Sequence, residues 1–285
     1  MTQNDIESIK LLDRTKLAFI GCGVMGEAIV AGLLRKNLVA PAQIVASHPR
    51  APRRAELREK YGIEVFEANA AAASLPDEDS MVVLCVKPQR LKGVLDDLRE
   101  VVQPGQLVIS IIAGATIETI SIALNNDHVV RAMPNTPSQI GHGMTAWTCS
   151  ENVTGGQRDE VRILLTALGR ELLVETENQI DMATSLSATG PTYIFMMMEA
   201  LTDAGVHMGF SREVSRELVQ QTMLGSTLFA MESHKHPAEL RNMVTSPGGT
   251  SAAAIYEMEK GTMRTVLSKA VYAAYKRAVE LGKKK

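Results

Sequence analysis

The chain has 285 residues, of which 45% are hydrophobic and 22% charged, a composition that is ordinary for a globular protein and excludes an intrinsically disordered one. A formal net charge of -2 gives no basic field that would attract nucleic acid. The three cysteines, Cys22, Cys85 and Cys149, have neither the even count of a disulfide framework nor the spacing of a zinc site. We therefore expect a cytoplasmic protein of about two domains with no bound metal.

The two ends of the chain indicate neither targeting nor membrane insertion. The first fifteen residues carry five charged side chains, so they lack the apolar core of a signal peptide and are treated as an N-terminal extension. The apolar stretch 193–198 is far too short to span a bilayer. The closing lysines, 283–285, are interpreted as a solvated tail.

Short apolar segments alternate with helical patterns from residue 16 to about residue 175. Several are continuous apolar runs, which is typical of strands covered on both faces. The predicted strands are 17–20, 44–47, 81–86, 107–112, 129–133, 144–149 and 172–175. Predicted helices between them are 27–36, 53–61, 91–100 and 157–168. This alternation predicts an α/β domain over residues 1–177, built on a parallel, doubly wound sheet of the Rossmann type.

No strand is predicted after about residue 178. Apolar residues recur at helical spacing over 263–279 and form one stripe. The segment 194–208 is apolar on most of its circumference, so a helix there must be buried on more sides than one small domain can cover. We therefore expect residues 178–285 to form an all-α domain that pairs with a second subunit.

The motif GCGVMG, at 21–26, follows the first predicted strand and opens the first helix. In a dinucleotide-binding fold the first glycine allows a tight turn, the second lets the pyrophosphate approach, and the third lets helix and strand pack closely. The phosphates then lie at the helix N-terminus, where N–H groups are free and the dipole favours negative charge. A purely structural glycine turn is the alternative, but the flanking strand and helix favour a dinucleotide site.

The end of the second predicted strand indicates which dinucleotide is bound. An NAD site usually has Asp or Glu there to accept from the ribose 2′-hydroxyl, and this chain has none. Ser47 and Arg50 stand there instead, and Arg53 and Arg54 follow. Since arginine can pair with a phosphate through two hydrogen bonds, we expect NADPH to be preferred, with NADH possible. Alternatively, the arginines merely begin the surface of the next helix.

Two further strand ends point to the same edge of the sheet. The third predicted strand ends at Val86-Lys87-Pro88-Gln89, where the nicotinamide half of the cofactor is expected. The fifth ends in MPNTP, at 133–137, with two prolines that stiffen the loop. Plain turn chemistry is the alternative for both.

A Pro-Gly-Gly turn lies within VTSPGGTSAAA, at 244–254, and separates two predicted helices. Thr250 or Ser251 can cap the second helix. Because backbone N–H groups at such a helix start form an anion cradle, and no dinucleotide fold surrounds it, the anion is expected to be the substrate. An ordinary joint between helices is equally supported by the residues alone.

Taken together, these motifs resemble the pyrroline-5-carboxylate reductase family. The matching segments, from residue 16 to residue 282, are GCGVMG, VKPQ, RAMPNTP, GPTY at 190–193 and VTSPGGTS, of which the last is the most specific and the first the least. The chain departs from the family pattern in three places. It has Ser187-Ala188-Thr189 for Ser-Gly-Ser, Asn242 where Asp is common, and Thr250-Ser251 for two hydroxyl residues that are often Thr-Thr.

The resemblance implies the last step of proline biosynthesis, in which NAD(P)H reduces 1-pyrroline-5-carboxylate to L-proline. It also implies a homodimer through the helical domain, often in a larger ring of dimers, with an active site shared between subunits. Ser251 would be the catalytic residue that donates to the imine nitrogen. Substrate binding is expected at Ser246, Gly248, Gly249, Thr250 and Ser251. Cofactor binding is expected at Gly21, Gly23, Val24, Met25, Gly26, Ser47, Arg50, Asn69, Val86, Lys87 and Pro88.

Two other functions stay open at this stage. A related imine or keto reductase acting on another small acid is favoured by the altered Ala188-Thr189 segment. A non-catalytic NADP-binding regulator would be favoured by loss of the loop hydroxyl, which Ser251 retains. His234 and His236 lie upstream of the loop and are interpreted as surface histidines rather than proton donors.

Overall fold

A computed structural model describes residue 12 and residues 15–74 and 80–283. The chain forms two compact units, one of Met1–Thr189 with Ala274–Lys285 and the other of Gly190–Ala273. The N-terminal extension, apart from the buried Leu12 and Thr15, and the last two lysines lie outside the described residues. The predicted domain division between residues 177 and 178 stays a prediction.

The first unit is built on an eight-stranded sheet in the order β3-β2-β1-β4-β5-β6-β7-β8. Its strands are β1 Leu17–Ile20, β2 Ile44–Ser47, β3 Glu64–Phe66, β4 Met81–Leu84, β5 Leu107–Ser110, β6 Val129–Met133, β7 Gly143–Cys149 and β8 Gly169–Leu173. Neighbouring strands from β3 through β6 are parallel. The strand order reverses between β1 and β4, which is where ligands bind in doubly wound sheets.

Helices cover both faces of this sheet. They are α1 Val24–Arg35, α2 Ala51–Tyr61, α3 Asn69–Ala73, α4 Leu91–Leu98, α5 Ile117–Leu124, α6 Gly155–Thr166 and α7 Glu177–Ala183, followed by a π-helical turn at Thr184–Ala188. Along β1, Leu17 and Phe19 belong to one core cluster, and Ala18 and Ile20 belong to the other. All four are completely buried, which explains why this strand is a continuous apolar run.

The second unit is helical throughout its described residues. Its helices are α8 Gly190–His207, α9 Arg212–Ser233, α10 Pro237–Met243, α11 Thr250–Lys260 and the first half of α12 Met263–Lys283. Large apolar side chains are nevertheless exposed on α8 and α9, among them Ile194, Phe195, Met196, Leu201, Leu224 and Leu228. Exposed apolar surface of this kind marks an interaction surface. None of the described helices is long and apolar enough to cross a membrane.

The predicted elements are confirmed in type, with two corrections to the sheet. Strand β3 was not predicted; it is only three residues long and lies between α2 and α3. The expected parallel, doubly wound sheet is confirmed except at one pair of strands, because β7 runs antiparallel to β6 and parallel to β8. The physical reason is the connection: a parallel pair needs a long crossover, and β6 and β7 are joined by a short 3-10 turn at Thr136–Ile140.

Candidate active site

The glycine motif forms the turn between β1 and α1. Gly21 has a φ of +76°, and a Cβ on it would overlap the side chain of Val86, so only glycine fits. A Cβ on Gly26 would lie 3.2 Å from both Cβ and Sγ of Cys85, just beyond β4. The first and third glycines are therefore required by packing within the chain itself.

Gly23, the second glycine of the motif, differs from the other two. It precedes α1 as its N-cap, and the nearest atom to a Cβ there would be a backbone oxygen 3.8 Å away. No side chain in the described part of the chain caps this helix end. The first N–H groups of α1, from Val24 onward, therefore face open space without an intrahelical acceptor. This is an anion site with room for a closely approaching pyrophosphate, so the residues present fit a dinucleotide.

Ser47, the last residue of β2, stabilises the glycine turn through hydrogen bonds. Its hydroxyl accepts a hydrogen bond from the N–H of Gly21 at 3.0 Å and donates one to Oδ1 of Asn69 at 2.8 Å. Nδ2 of Asn69 in turn donates to Asp97 at 3.0 Å. Ser47 is completely buried, so its evident role is to hold the turn. A direct contact of Ser47 or Asn69 with the cofactor stays a prediction.

The three arginines at the start of α2 have different surroundings. Arg50 is the exposed N-cap of α2, and it has no carboxylate partner within the described ranges. Arg53 forms ion pairs with Glu27 and, at 2.8 Å, with Glu56. Arg54 forms an ion pair with Glu67 at 2.7 Å and donates to two backbone carbonyls of the preceding loop. Arg50 is thus the arginine best placed to pair with a 2′-phosphate.

His48 lies beside these arginines without adding to their charge. Its Nδ1 accepts a hydrogen bond from the N–H of Arg50 at 3.2 Å. Burial, and then the positive charge of Arg50, lower the pKa of His48 below its usual range. Near neutral pH, His48 is therefore uncharged, and the arginines supply the positive charge at this strand end.

The segment after β4 lies next to the glycine turn, because β4 pairs with β1. Val86 packs against Gly21, Lys87 is exposed, and Pro88 begins a 3-10 turn. The structure thus brings all the predicted cofactor residues to the ends of β1, β2 and β4 within the first unit.

Cys22 and Cys85 lie beside Gly26, next to the glycine turn. Burial raises the pKa of Cys22 to about 12 and that of Cys85 well above its usual value, so both thiols serve packing.

The loop after β6 is held by Asn135. Its Oδ1 accepts from the N–H of Met144 at 2.9 Å, and its Nδ2 donates to the backbone oxygen of Ser187 at 3.3 Å. Ser187 belongs to the π-helical turn, in which the N–H and the hydroxyl of Thr189 both donate to the oxygen of Thr184 at 2.9 Å. The segment that departs from the family pattern is therefore part of a π turn, a feature frequent at functional sites.

A cluster of ion pairs around the buried Arg131 was not predicted from the sequence. Arg131, in β6, is 1% exposed and pairs with Glu177 at 3.1 Å and with Asp181 at 2.5 Å. Both carboxylates lie on α7, and Glu177 also accepts from the N–H of Ile117 at the start of α5. The cluster fixes α7 to β6. The signal available in the sequence was a lone arginine within an otherwise apolar strand.

The Pro-Gly-Gly loop lies in the second unit, between α10 and α11. Gly248 has a φ of +71°, and Gly249 is the N-cap of α11. The expectation that Thr250 or Ser251 caps this helix is wrong, because the turn ends one residue earlier and α11 already begins at Thr250. No hydrogen bond of the Ser251 hydroxyl occurs among residues 15–74 and 80–283. The N-terminal N–H groups of α11 and this hydroxyl are therefore available to a ligand.

The two histidines upstream of this loop are both at the surface. His236 is exposed and is the N-cap of α10, where its Nδ1 accepts from the N–H of Ala238 at 3.2 Å. His234 is also exposed. Ser246 accepts from the N–H of Gly249 through its backbone oxygen at 3.0 Å. The structure brings the five predicted substrate residues together in this one loop.

Comparison with known proteins identifies both parts of the chain. Residues 177–281 match the family description pyrroline-5-carboxylate reductase dimerisation, and residues 16–114 match NADP oxidoreductase coenzyme F420-dependent. The pyrroline-5-carboxylate reductase of Synechocystis is 39% identical over 94% of this chain and 99% of its own length. That of Pseudomonas aeruginosa is 40% identical over 93% of this chain and 96% of its own length.

Solved structures agree. A pyrroline-5-carboxylate reductase from Coxiella burnetii superposes with a TM-score of 0.85 at 36% identity, covering 93% of this chain and 98% of that one. The pyrroline carboxylate reductase of Plasmodium falciparum, solved with NADP bound, superposes with a TM-score of 0.85 at 29% identity, covering 95% of this chain and 99% of that one. The fold and the glycine turn define an NAD(P)-dependent oxidoreductase with a helical dimerisation domain. Within that class, the chain belongs to the pyrroline-5-carboxylate reductase family.

Proposed function

We propose that this protein reduces 1-pyrroline-5-carboxylate to L-proline with NADPH, the last step of proline biosynthesis in the cytoplasm. The observation that carries the proposal is the intact Pro-Gly-Gly loop, with an uncommitted Ser251 hydroxyl at the start of α11, in a chain 39% identical to a relative of that name. A homodimer through residues 178–285 is part of the same proposal, and the exposed apolar faces of α8 and α9 support it. Assembly of such dimers into a ring is proposed from the family resemblance alone.

Cofactor binding falls to the first unit in this proposal, with residues 1–177 as its domain. The N–H groups at the start of α1 hold the pyrophosphate, and Gly23 leaves room for its approach. Arg50 pairs with the 2′-phosphate, since the neighbouring arginines are already bound to carboxylates. When bound, the cofactor supplies a hydride to the substrate.

Substrate binding falls to the Pro-Gly-Gly loop of the second unit. The N–H groups around Gly249 and Thr250 hold the carboxylate. The hydride adds to the carbon of the C=N bond, so the nitrogen must gain a proton or a strong hydrogen bond. The hydroxyl of Ser251 donates that bond to the nitrogen. A substrate that arrives with its nitrogen protonated needs no acid from the chain.

The chemistry of the loop indicates how the rate is raised. Residues 244–251 contain no Asp, Glu or His that could act as a strong acid. Orientation of the imine and electrostatic stabilisation at its nitrogen therefore carry most of the acceleration. A strong acid is not needed, because the nitrogen becomes more basic as the hydride arrives and then takes up a proton readily.

A substrate panel tests the proposal against its alternatives. Oxidation of NADPH is followed with 1-pyrroline-5-carboxylate, with other cyclic imino acids and with 2-keto acids. We expect the highest kcat/KM for 1-pyrroline-5-carboxylate. A higher value for another imine or a keto acid would identify a related reductase, as the Ala188-Thr189 departure allows. Binding of NADPH without oxidation by any member would instead favour a regulator.

A further inference from the structure

Glu27 forms a polar cluster between α1 and α2 that the proposed reaction does not use. It lies in the first turn of α1, directly after the glycine motif, and its side chain is 19% exposed. It pairs with Arg53, accepts from the hydroxyl of Tyr61 at 2.7 Å and pairs with Lys60 at 2.9 Å. Burial alone raises the pKa of Glu27, but the hydrogen bonds from Arg53, Tyr61 and Lys60 outweigh it and lower the pKa to about 2.

A carboxylate at this position has a consequence for Arg53. Near neutral pH, Glu27 is ionised, and together with Glu56 it gives Arg53 two carboxylate partners. The side chain of Arg53 is only 14% exposed. An arginine that already binds two carboxylates keeps its charge, but the two negative charges beside it offset that charge and its paired N–H groups are not free to bind a phosphate.

Arg54 is restrained in another way. It binds Glu67 and the backbone oxygens of His48 and Pro49, so it fixes the loop between β2 and α2. Arg50, at the end of that loop, has no such partner within the described ranges. The three arginines thus divide into one that is uncommitted and two that are held.

We propose that Glu27 is a specificity-setting residue that withholds Arg53 from the cofactor's 2′-phosphate and leaves its recognition to Arg50. Glu27 does not itself touch the phosphate; it acts through Arg53 and is therefore a positioning residue. The inference deepens the proposed function, because it presumes that the β2 end binds the adenosine half of NADPH. It predicts that the chain prefers NADPH over NADH less strongly than it would if Arg53 also bound the 2′-phosphate.

The test measures the ratio of the Kd for NAD+ to the Kd for NADP+ by titration calorimetry, which needs no turnover. Glu27→Gln removes one of the two carboxylate partners of Arg53, so the ratio should rise by about twofold to fivefold, the range that a partly exposed ion pair supports. Arg53→Ala alone should leave the ratio unchanged. The double variant Glu27→Gln/Arg53→Ala should lose the gain, because the gain depends on the freed arginine.

Matched controls separate this role from a structural one. Lys60→Met and Tyr61→Phe remove the other partners of Glu27 but keep the pair with Arg53, so both should leave the ratio unchanged. A ratio that stays constant in Glu27→Gln would overturn the inference. The inference would also be overturned if Arg53→Ala lowered the Kd ratio as much as Arg50→Ala does, because Arg53 would then bind the phosphate despite Glu27.

Two further outcomes are informative. If Glu27→Gln does not fold, a lower ratio in Arg53→Ala still overturns the inference, because Arg53 would then bind the phosphate despite Glu27. If Arg50→Ala also leaves the ratio unchanged, the proposed cofactor assignment fails rather than the role of Glu27 alone. If the unmodified protein shows no reductase activity but the Kd ratios of the variants change as expected, the proposed reaction is wrong and the role of Glu27 stands.

Discussion

The hydroxyl of Ser47 accepts a hydrogen bond from the backbone N–H of Gly21 at 3.0 Å, which joins the end of β2 to the turn that follows β1. The same hydroxyl donates to Asn69, and the side chain is completely buried. The glycine turn therefore has its shape before any cofactor binds. We therefore expect Ser47 to affect the binding of both possible dinucleotides through this turn, and Arg50 to affect only the one that carries a 2′-phosphate.

Replacing Ser47 by Ala tests this division of labour. The change leaves the partly buried N–H of Gly21 without its acceptor, at a cost of about 1 kcal/mol, the lower end of the range for a buried donor. We expect the Kd values for NADP+ and NAD+ to rise by the same factor, together with a lower Tm. A rise confined to NADP+ would mean that Ser47 contacts the 2′-phosphate directly.

Replacing Arg50 by Ala should affect the phosphorylated cofactor selectively. An exposed arginine without a carboxylate partner contributes only where a phosphate is present, so the KM for NADPH should rise much more than that for NADH. Arg162→Ala, an exposed change on α6, serves as the control and should alter neither KM. Equal effects of Arg50→Ala on both cofactors would contradict the NADPH assignment.

Gly21 and Gly23 of the motif should respond differently to alanine. Gly23→Ala adds a Cβ that meets no protein atom within 3.8 Å, so the Tm should be unchanged while dinucleotide binding is lost. Gly21→Ala forces a side chain into positive φ and into Val86, so the fold itself should be destabilised. Thermal melts and NADPH fluorescence titrations on both variants check this. Unchanged binding in a folded Gly23→Ala variant would place the pyrophosphate elsewhere.

Much of the fold follows from local pattern. Both faces of β1 are buried, so its apolar run could be recognised without knowing its neighbours. The direction of β7 could not, because it depends on how tightly the chain turns after β6. The three residues of β3 are too few to produce a periodic signal.

The candidate site divides in the same way. The glycine turn combines strand, turn and helix within a few residues, and the sequence therefore predicted it. The pairing of Glu27 with Arg53 joins residues on two different helices, and the pairing of Arg131 with Glu177 joins a strand to a distant helix. Such pairs depend on tertiary packing. The sequence shows each charged residue but not the distant residue with which it pairs. The start of α11 was misjudged because Gly249 and Thr250 are both acceptable N-caps.

The apolar surface of the second unit predicts the assembly state. Phe195 is 60% exposed on α8, beside other exposed apolar side chains, and a second subunit would bury it. Light scattering should find a dimer or a larger oligomer, and Phe195→Glu should shift it toward monomer. Lys92→Glu, on the exposed surface of α4, is the control and should leave the mass unchanged. A folded, active monomer at micromolar concentration would contradict this prediction.

Ser251→Ala tests the proposed donor to the imine nitrogen. Because the hydroxyl does not cap α11, its removal should leave the Tm unchanged. Turnover should fall by about 10–100-fold, somewhat below the cost of losing one oxyanion-hole donor. Binding of NADPH should be nearly unaffected, and Ser251→Thr should keep most activity.

Ser211→Ala is the matched control for this experiment. Ser211 does cap a helix, since its hydroxyl accepts from the N–H of Val214 at 3.2 Å at the start of α9. Its loss should cost about 0.5–2 kcal/mol of stability and leave turnover of the folded enzyme intact. If Ser251→Ala behaves like Ser211→Ala, the catalytic role of Ser251 is wrong.

The most direct test of the central claim follows the transferred hydride. The purified protein is incubated with 1-pyrroline-5-carboxylate and NADPH that carries deuterium at the transferable position, and the product is analysed by mass spectrometry. Hydride addition to the C=N carbon predicts proline with one deuterium at Cδ, formed in equal amount to the cofactor oxidised. Cofactor oxidation without labelled proline, or no oxidation by a folded protein that binds NADPH, would contradict the account.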